Sequence, residues 1–225
     1  MEQAAEIKDI LGSLDLKIEK NDNEDSNAEK LKRFKAGLEK NTQTVLQRMG
    51  VPKRFLNPKS NTSKLDWGWG YYFHGPVGTG KTDIAVSLLK NIILNTEPVD
   101  DYGRFRIPDD LGLFVSVPVM LLNIRSAFKS ETADESDLIK KYTKPSVLVM
   151  DDLGTEKATE WVMQTLYVII NSRYEEEKQT IFSSNYCLED IRKNLNDKIA
   201  SRITAMAEII ELKGIDRRSG ISVVK

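Results

Sequence analysis

Residues 75–82 read Gly-Pro-Val-Gly-Thr-Gly-Lys-Thr, a G-x-x-x-x-G-K-[ST] pattern that directly follows the aromatic run Tyr71-Tyr72-Phe73 and His74. Such a segment needs a strand before it and a helix after it, because its job is to aim backbone N–H groups at phosphate oxygens from the mouth of a sheet. Gly75, Pro76, Val77, Gly78, Thr79 and Gly80 would form the cradle. Lys81 would reach the β- and γ-phosphates, and Thr82 would place its hydroxyl on Mg²⁺. A helix over 81–93 adds its positive N-terminal dipole to the same pocket. With Gly at roughly 7% of residues, the four fixed positions match by chance in only about one in a hundred chains of this length. The octapeptide therefore points to a nucleotide with Mg²⁺ far more strongly than to an ordinary Gly-rich turn.

The remainder of the chain alternates between the two periodicities. Residues 70–74, 113–117, 147–150 and 180–184 are short apolar runs of strand length, and Val147-Leu148-Val149-Met150 is continuous, as in a strand buried on both faces. Helical spacing covers 81–93, 120–130 and 159–177. Strands alternating with helices predict an α/β fold, a parallel sheet flanked by helices. Residues 96–112, rich in Pro, Asp and Gly, read as an exposed connection.

The first fifty residues read as a helical extension ahead of a nucleotide-binding domain at 51–225. Ile7, Ile10, Leu11 and Leu14 share one helical face, a polar run follows at 20–27, and Leu31, Phe34, Leu38, Val45 and Met49 share another. Such helices either pad the core or form an arm that docks on a partner.

Composition narrows the class further. A net charge of −1 over 225 residues excludes a strongly basic coat, so any DNA contact must come from a local patch. The single cysteine, Cys187, cannot close an intramolecular disulfide, and no Cys/His cluster suggests a metal site. No apolar stretch reaches the roughly 18 residues of a membrane span. The expectation is a soluble cytoplasmic protein with no membrane partner.

The apolar run at 147–150 ends in Asp151-Asp152. Carboxylates at the end of a central strand near a phosphate loop suit a metal-holding Asp151 and an Asp152 that orients the attacking water. The next strand ends in Ser183-Ser184-Asn185, which places an amide to hold that water or the γ-phosphate.

With these residues in hand, about 47–219 resembles the AAA+ ATPases of the bacterial replicative-helicase loader group (DnaC and DnaI type), with the IstB transposition helpers close by. The resemblance rests on 49–55 (Met-Gly-Val-Pro-Lys-Arg-Phe), the phosphate loop, 149–156 (Val-Met-Asp-Asp-Leu-Gly-Thr-Glu) and 170–175 (Ile-Asn-Ser-Arg-Tyr-Glu). It also rests on 180–186 (Thr-Ile-Phe-Ser-Ser-Asn-Tyr), 201–203 (Ser-Arg-Ile) and 214–218 (Gly-Ile-Asp-Arg-Arg). The resemblance implies a sensor role for Asn185 and a trans-acting arginine finger at Arg202, which ties hydrolysis to a homo-oligomer. It also implies a second sensor arginine at Arg218, with the adjacent Arg217 competing for that role. The second acid of the pair is Asp152 where many AAA+ ATPases carry Glu, which fits slow turnover.

The same resemblance suggests single-stranded DNA and a hexameric replicative DNA helicase as partners. The helix at 120–130 occupies the position where loaders bear an initiator-specific helix, and it combines Arg125, Phe128 and Lys129, cations with an aromatic for base stacking. An amphipathic core helix with Phe128 buried is the competing reading. Three functions follow from the resemblance: an ATP-dependent helicase loader, an IstB-like helper of a DNA transposase, and a nucleotide-switched adaptor with little hydrolysis.

Overall fold

The computed structural model describes residues 27–66, 70–102, 104–127 and 135–214. The helical pattern at 7–14, Phe128, Lys129, Arg217 and Arg218 lie outside them. Helices α1 (Asn27–Lys40) and α2 (Thr42–Arg48) come first, followed by a 3-10 turn at Lys53–Phe55. Strand β1 (Gly70–His74) leads through the phosphate loop into α3 (Lys81–Asn95). A hairpin of β2 (Val99–Asp101) and β3 (Arg104–Arg106) precedes β4 (Gly112–Ser116), α4 (Val117–Ala127) and α5 (Glu135–Thr143). The remaining elements are β5 (Val147–Asp151), α6 (Glu160–Glu175), β6 (Gln179–Ser184), α7 (Leu188–Asn194), α8 (Asp197–Met206) and β7 (Ala207–Glu211).

Five strands form one parallel sheet in the order β4-β5-β6-β1-β7. Side chains alternate across it, as the period of two requires. Tyr71, Phe73, Val147, Val149 and Ile181 turn to the side covered by α1, α2 and α3. Tyr72, Leu148, Met150 and Phe182 turn to the side covered by α4 through α8. Both faces are buried, so the strands read as nearly continuous apolar runs.

Two expectations change. The 96–112 connection contains the β2–β3 hairpin, held to α1 by Phe105 against Phe34 with ring centroids 6.2 Å apart. The boundary at residue 50 does not separate two cores, because Phe34, Leu38, Val45, Leu46 and Val51 pack in the cluster that holds α3 and one face of the sheet. Burying such a side chain contributes about 1.5–3 kcal/mol. Several of them hold 27–50 on the domain, and the core reading prevails over a detached arm for that part. The amide of Phe114 also donates to the Met49 carbonyl at 2.7 Å, joining the end of α2 to β4.

The elements with the weakest sequence signal sit at the margins. Strand β7 is the sheet edge, with Glu208, Ile209 and Glu211 exposed, so it lacks a buried strand's apolar run. Helix α4 begins at Val117, earlier than its periodicity suggests, and tolerates Pro118 because a first-turn residue needs no intrahelical donor.

Candidate functional site

The phosphate loop leaves β1 at the C-terminal edge of the sheet. Gly75 stands at φ 142°, and a side chain there would run into the Leu212 carbonyl that follows β7. Gly80 caps α3 at φ 97° with no side-chain cap, a left-handed turn that opens the first N–H groups of the helix toward the loop. Lys81 is buried, and its Nζ donates to the carbonyls of Gly75 and Pro76, each at 2.8 Å. Thr79 Oγ1 donates to the Pro76 carbonyl at 2.9 Å. The loop thus carries its own cation at its centre.

Thr82 Oγ1 lies 2.9 and 3.2 Å from the two carboxylate oxygens of Asp151. The strand order explains how they meet. Strand β6 lies between β1 and β5, so the acidic strand is one removed from β1, and Ser183 of β6 bridges the gap by donating to Asp151 Oδ1. The Asp152 amide in turn donates to Ser183 Oγ at 3.2 Å. Ser183 is a site residue to which the sequence alone assigns no role. Its signal depends on knowing which strand lies between the loop and the acid.

Asp151 is 6% exposed, and burial pushes its carboxyl above the usual carboxylate range, outweighing the hydrogen bonds from Ser183 and Thr82 and the nearby Lys81. A hydroxyl and a buried carboxylate in contact form an oxygen donor set that suits Mg²⁺, which takes one or two carboxylates. The raised pKa also has a consequence for stability. The native chain keeps this proton at pH values where the unfolded chain has lost it, so the cost of the bare carboxylate grows as pH rises through that window. Asp151→Asn is expected to melt above the wild type at neutral pH without Mg²⁺. The gap should close as pH falls into the ordinary carboxylate range. Thermal melting across pH checks this, and an equal or lower midpoint at pH 7 would contradict it.

Asp152 takes a left-handed conformation at φ 60°, rare for a residue with a side chain and most accessible to Asp and Asn. Its side chain is half-buried beside the Thr82–Asp151 pair. Asn185 follows Ser184, the register partner of His74, so it stands beside the entry to the phosphate loop. The fold therefore converges Lys81, Thr82, Asp151, Asp152 and Asn185 on one edge of the sheet.

Arg202 is not at that edge. Helix α8 ends at Met206, whose carbonyl lies against Gly70 at the opposite end of β1. A five-residue strand spans about 16 Å, and Arg202 stands one helical turn before that end. Its Nε donates to Asn171 Oδ1 at 2.8 Å, and its guanidinium lies 4.6 Å from the centre of the Tyr174 ring. Asn171 Nδ2 donates to Glu175 at 2.9 Å, which fixes the amide orientation and occupies that carboxylate. Among the described residues, no carboxylate pairs with Arg202. Arg125 is exposed on α4 beside exposed Leu122, whereas Met120, Leu121 and Ile124 face the core.

Arg173 serves a different purpose. It is fully buried, and its guanidinium donates to the carbonyls of Pro145 at 2.7 Å and Gln179 at 2.6 Å. Longer contacts reach Tyr142, Thr143 and Ser146, and Nε donates to the Thr180 hydroxyl at 2.9 Å. It ties the end of α5 and the start of β5 to the start of β6. Burial pushes its pKa down to about 10, which leaves it a cation at neutral pH.

Comparison with known proteins places these features in context. A family model described as IstB-like ATP binding protein matches residues 27–220. The replicative helicase loader DnaI of Bacillus subtilis (strain 168) is 25% identical over 177 residues, 73% of this chain and 51% of DnaI. The putative ATP-binding protein Rv3427c in insertion sequence, of Mycobacterium tuberculosis, is 29% identical over 137 residues, 60% of this chain and 48% of that protein. The chain spans about half the length of these curated relatives. Among solved structures, the crystal structure of the DnaC helicase loader superposes with a TM-score of 0.54 at 25% identity, over 86% of this chain and 95% of that one. A crystal structure of DnaI superposes with a TM-score of 0.53 at 22% identity over 92% and 94% of the two chains, which establishes the shared fold. No helix among the described residues is long and apolar enough to cross a membrane.

Proposed function

The chain belongs to the IstB-like ATP-binding family, and from that premise we propose that it is an ATP hydrolase that helps place a hexameric replicative helicase on single-stranded DNA in the cytoplasm. The observation that carries the hydrolase reading is the contact of Thr82 with buried Asp151 beside Lys81. In this reading Lys81 and the loop amides hold the phosphates, and Thr82 and Asp151 hold Mg²⁺. Bound Mg²⁺ would neutralise charge on the β- and γ-phosphates. Asp152 and Asn185 orient the attacking water, and Arg202 of one subunit completes the site of its neighbour. The clamp of Asn171 and Tyr174 supports that role, since it holds the guanidinium by Nε and leaves the terminal nitrogens for an anion from another molecule.

The similarity to DnaI over 73% of the chain favours a helicase loader. The second reading, a transposase helper, is favoured by the 29% identity to a protein encoded in an insertion sequence. Affinity capture with ATP present separates them. A loader retains the host's replicative helicase on the immobilised chain and transfers it to single-stranded DNA. Capture of a transposase without the helicase would decide for the helper, and ATP-dependent capture with no measurable hydrolysis would decide for an adaptor.

A further inference from the structure

The turn after β5 is held from two sides. On its entering side β6 does the holding. The Leu153 amide donates to the Ser183 carbonyl at 2.9 Å, and Ser184 Oγ donates to the Leu153 carbonyl at 2.6 Å. Past Leu153 that support ends. Gly154 stands at φ 88°, and among the described residues the amides of 154, 155 and 156 bond to no backbone carbonyl. A backbone amide buried without an acceptor is costly, so the leaving side of the turn needs one.

Glu156 supplies it. The Gly154 amide donates to its carboxylate, whose oxygens lie 3.3 and 3.2 Å away, and the amides of Thr155 and of Glu156 itself turn to the same group. Thr155 Oγ1 closes the turn by donating to the Asp152 carbonyl at 2.9 Å. Gly154 packs against Ile191 and Tyr186 with no room for a side chain, so the amide it offers keeps its direction. A glutamate on a loop ordinarily points its charge into water. This one is half-buried, and no lysine or arginine among the described residues pairs with it. Burial raises its carboxyl above the ordinary range, against the pull of the amides. It is turned inward to serve the backbone.

The residue that gains from this is Asp152. Its φ of 60° is a strained conformation for a residue with a side chain, and such a conformation persists only where the surroundings fix it from both sides. We infer that Glu156 is a positioning residue for Asp152: by gathering the amides on the leaving side of the turn, it keeps Asp152 left-handed with its side chain beside the Thr82–Asp151 pair. In this role Glu156 touches neither nucleotide nor metal. It acts through the residue that the hydrolase reading places on the attacking water, and it rests on that reading.

Steady-state hydrolysis by the full chain at saturating ATP and Mg²⁺ tests this, with ATP affinity followed by titration calorimetry and folding by thermal melting. Glu156→Ala should lower kcat at least about tenfold, since a small misplacement of a catalytic group suffices for that, and leave ATP affinity within about twofold of wild type. Glu156→Gln, which keeps an acceptor oxygen at the same reach, should recover part of the loss. Glu156→Asp, which keeps the charge and shortens the arm, should not. In an Asp152→Asn background, Glu156→Ala should change the residual kcat by about twofold or less, because the residue it acts through is already disabled. Should Glu156→Ala melt early, the comparison of Gln with Asp carries the same test. Wild-type kcat in Glu156→Ala, multiplied losses in the double variant, an affinity loss as large as the kcat loss, or rescue by Asp and not by Gln would overturn the role. A wild type that hydrolyses no ATP would remove the hydrolase reading and this role together, whereas an inactive Asp152→Asn beside a fully active Glu156→Ala removes this role alone.

Discussion

Lys81→Ala is expected to bind ATP at least about a hundredfold more weakly than the wild-type chain in titration calorimetry. Lys81 is the one side-chain cation of the phosphate loop, and its Nζ sits where the Gly75 and Pro76 carbonyls converge. Hydrogen bonds to a charged group contribute about 1.5–3 kcal/mol each. Two contacts to phosphate oxygens thus amount to about 3 kcal/mol, or about two powers of ten in affinity. The fold should survive, since the loop is shaped by backbone turns and Thr79 keeps its own bond to Pro76. Equal affinity in the two proteins would remove the site from residues 75–82.

The second large effect is on stability. Arg173→Ala is expected to cost about 3–5 kcal/mol, because it strips the donor from buried carbonyls at the junction of α5, β5 and β6. For a chain of this size that corresponds to a fall in melting temperature of roughly 6–20 °C. Arg173→Lys should recover part of the loss, since an ammonium supplies three donors but cannot span contacts from Tyr142 to Gln179 with a planar fork. A midpoint within two or so degrees of wild type for Arg173→Ala would mean that water replaces the guanidinium.

These two residues show what a linear sequence reveals and what it hides. The phosphate loop, the β1 and β5 runs and Asp151 are legible because their chemistry is local: a turn needs glycine, and a doubly buried strand needs a continuous apolar run. Arg173 and Ser183 carry no such signal. Arg173 reads as a charge on a helix until its neighbours are known to be open carbonyls. Ser183 matters only because β6 enters between β1 and β5, a pairing set by tertiary order. The β2–β3 hairpin was hidden in a Pro- and Asp-rich stretch, and β7 is an edge strand with too little burial to show a period. The core role of 27–50 is open in the sequence for the same reason, since an amphipathic helix displays its apolar face without naming what covers it.

The central claim is that one ATP site is built from two subunits. Steady-state ATPase of Arg202→Ala mixed with Asp152→Asn tests it most directly, provided each variant alone binds ATP normally. The first retains an intact loop and acids, and the second retains an intact arginine on its Asn171 and Tyr174 clamp. In a random mixture about a quarter of interfaces join the two intact halves. Activity well above the sum of the separate proteins, rising to about that fraction of wild type, is the expected result, and a mixture no more active than that sum would contradict a shared site.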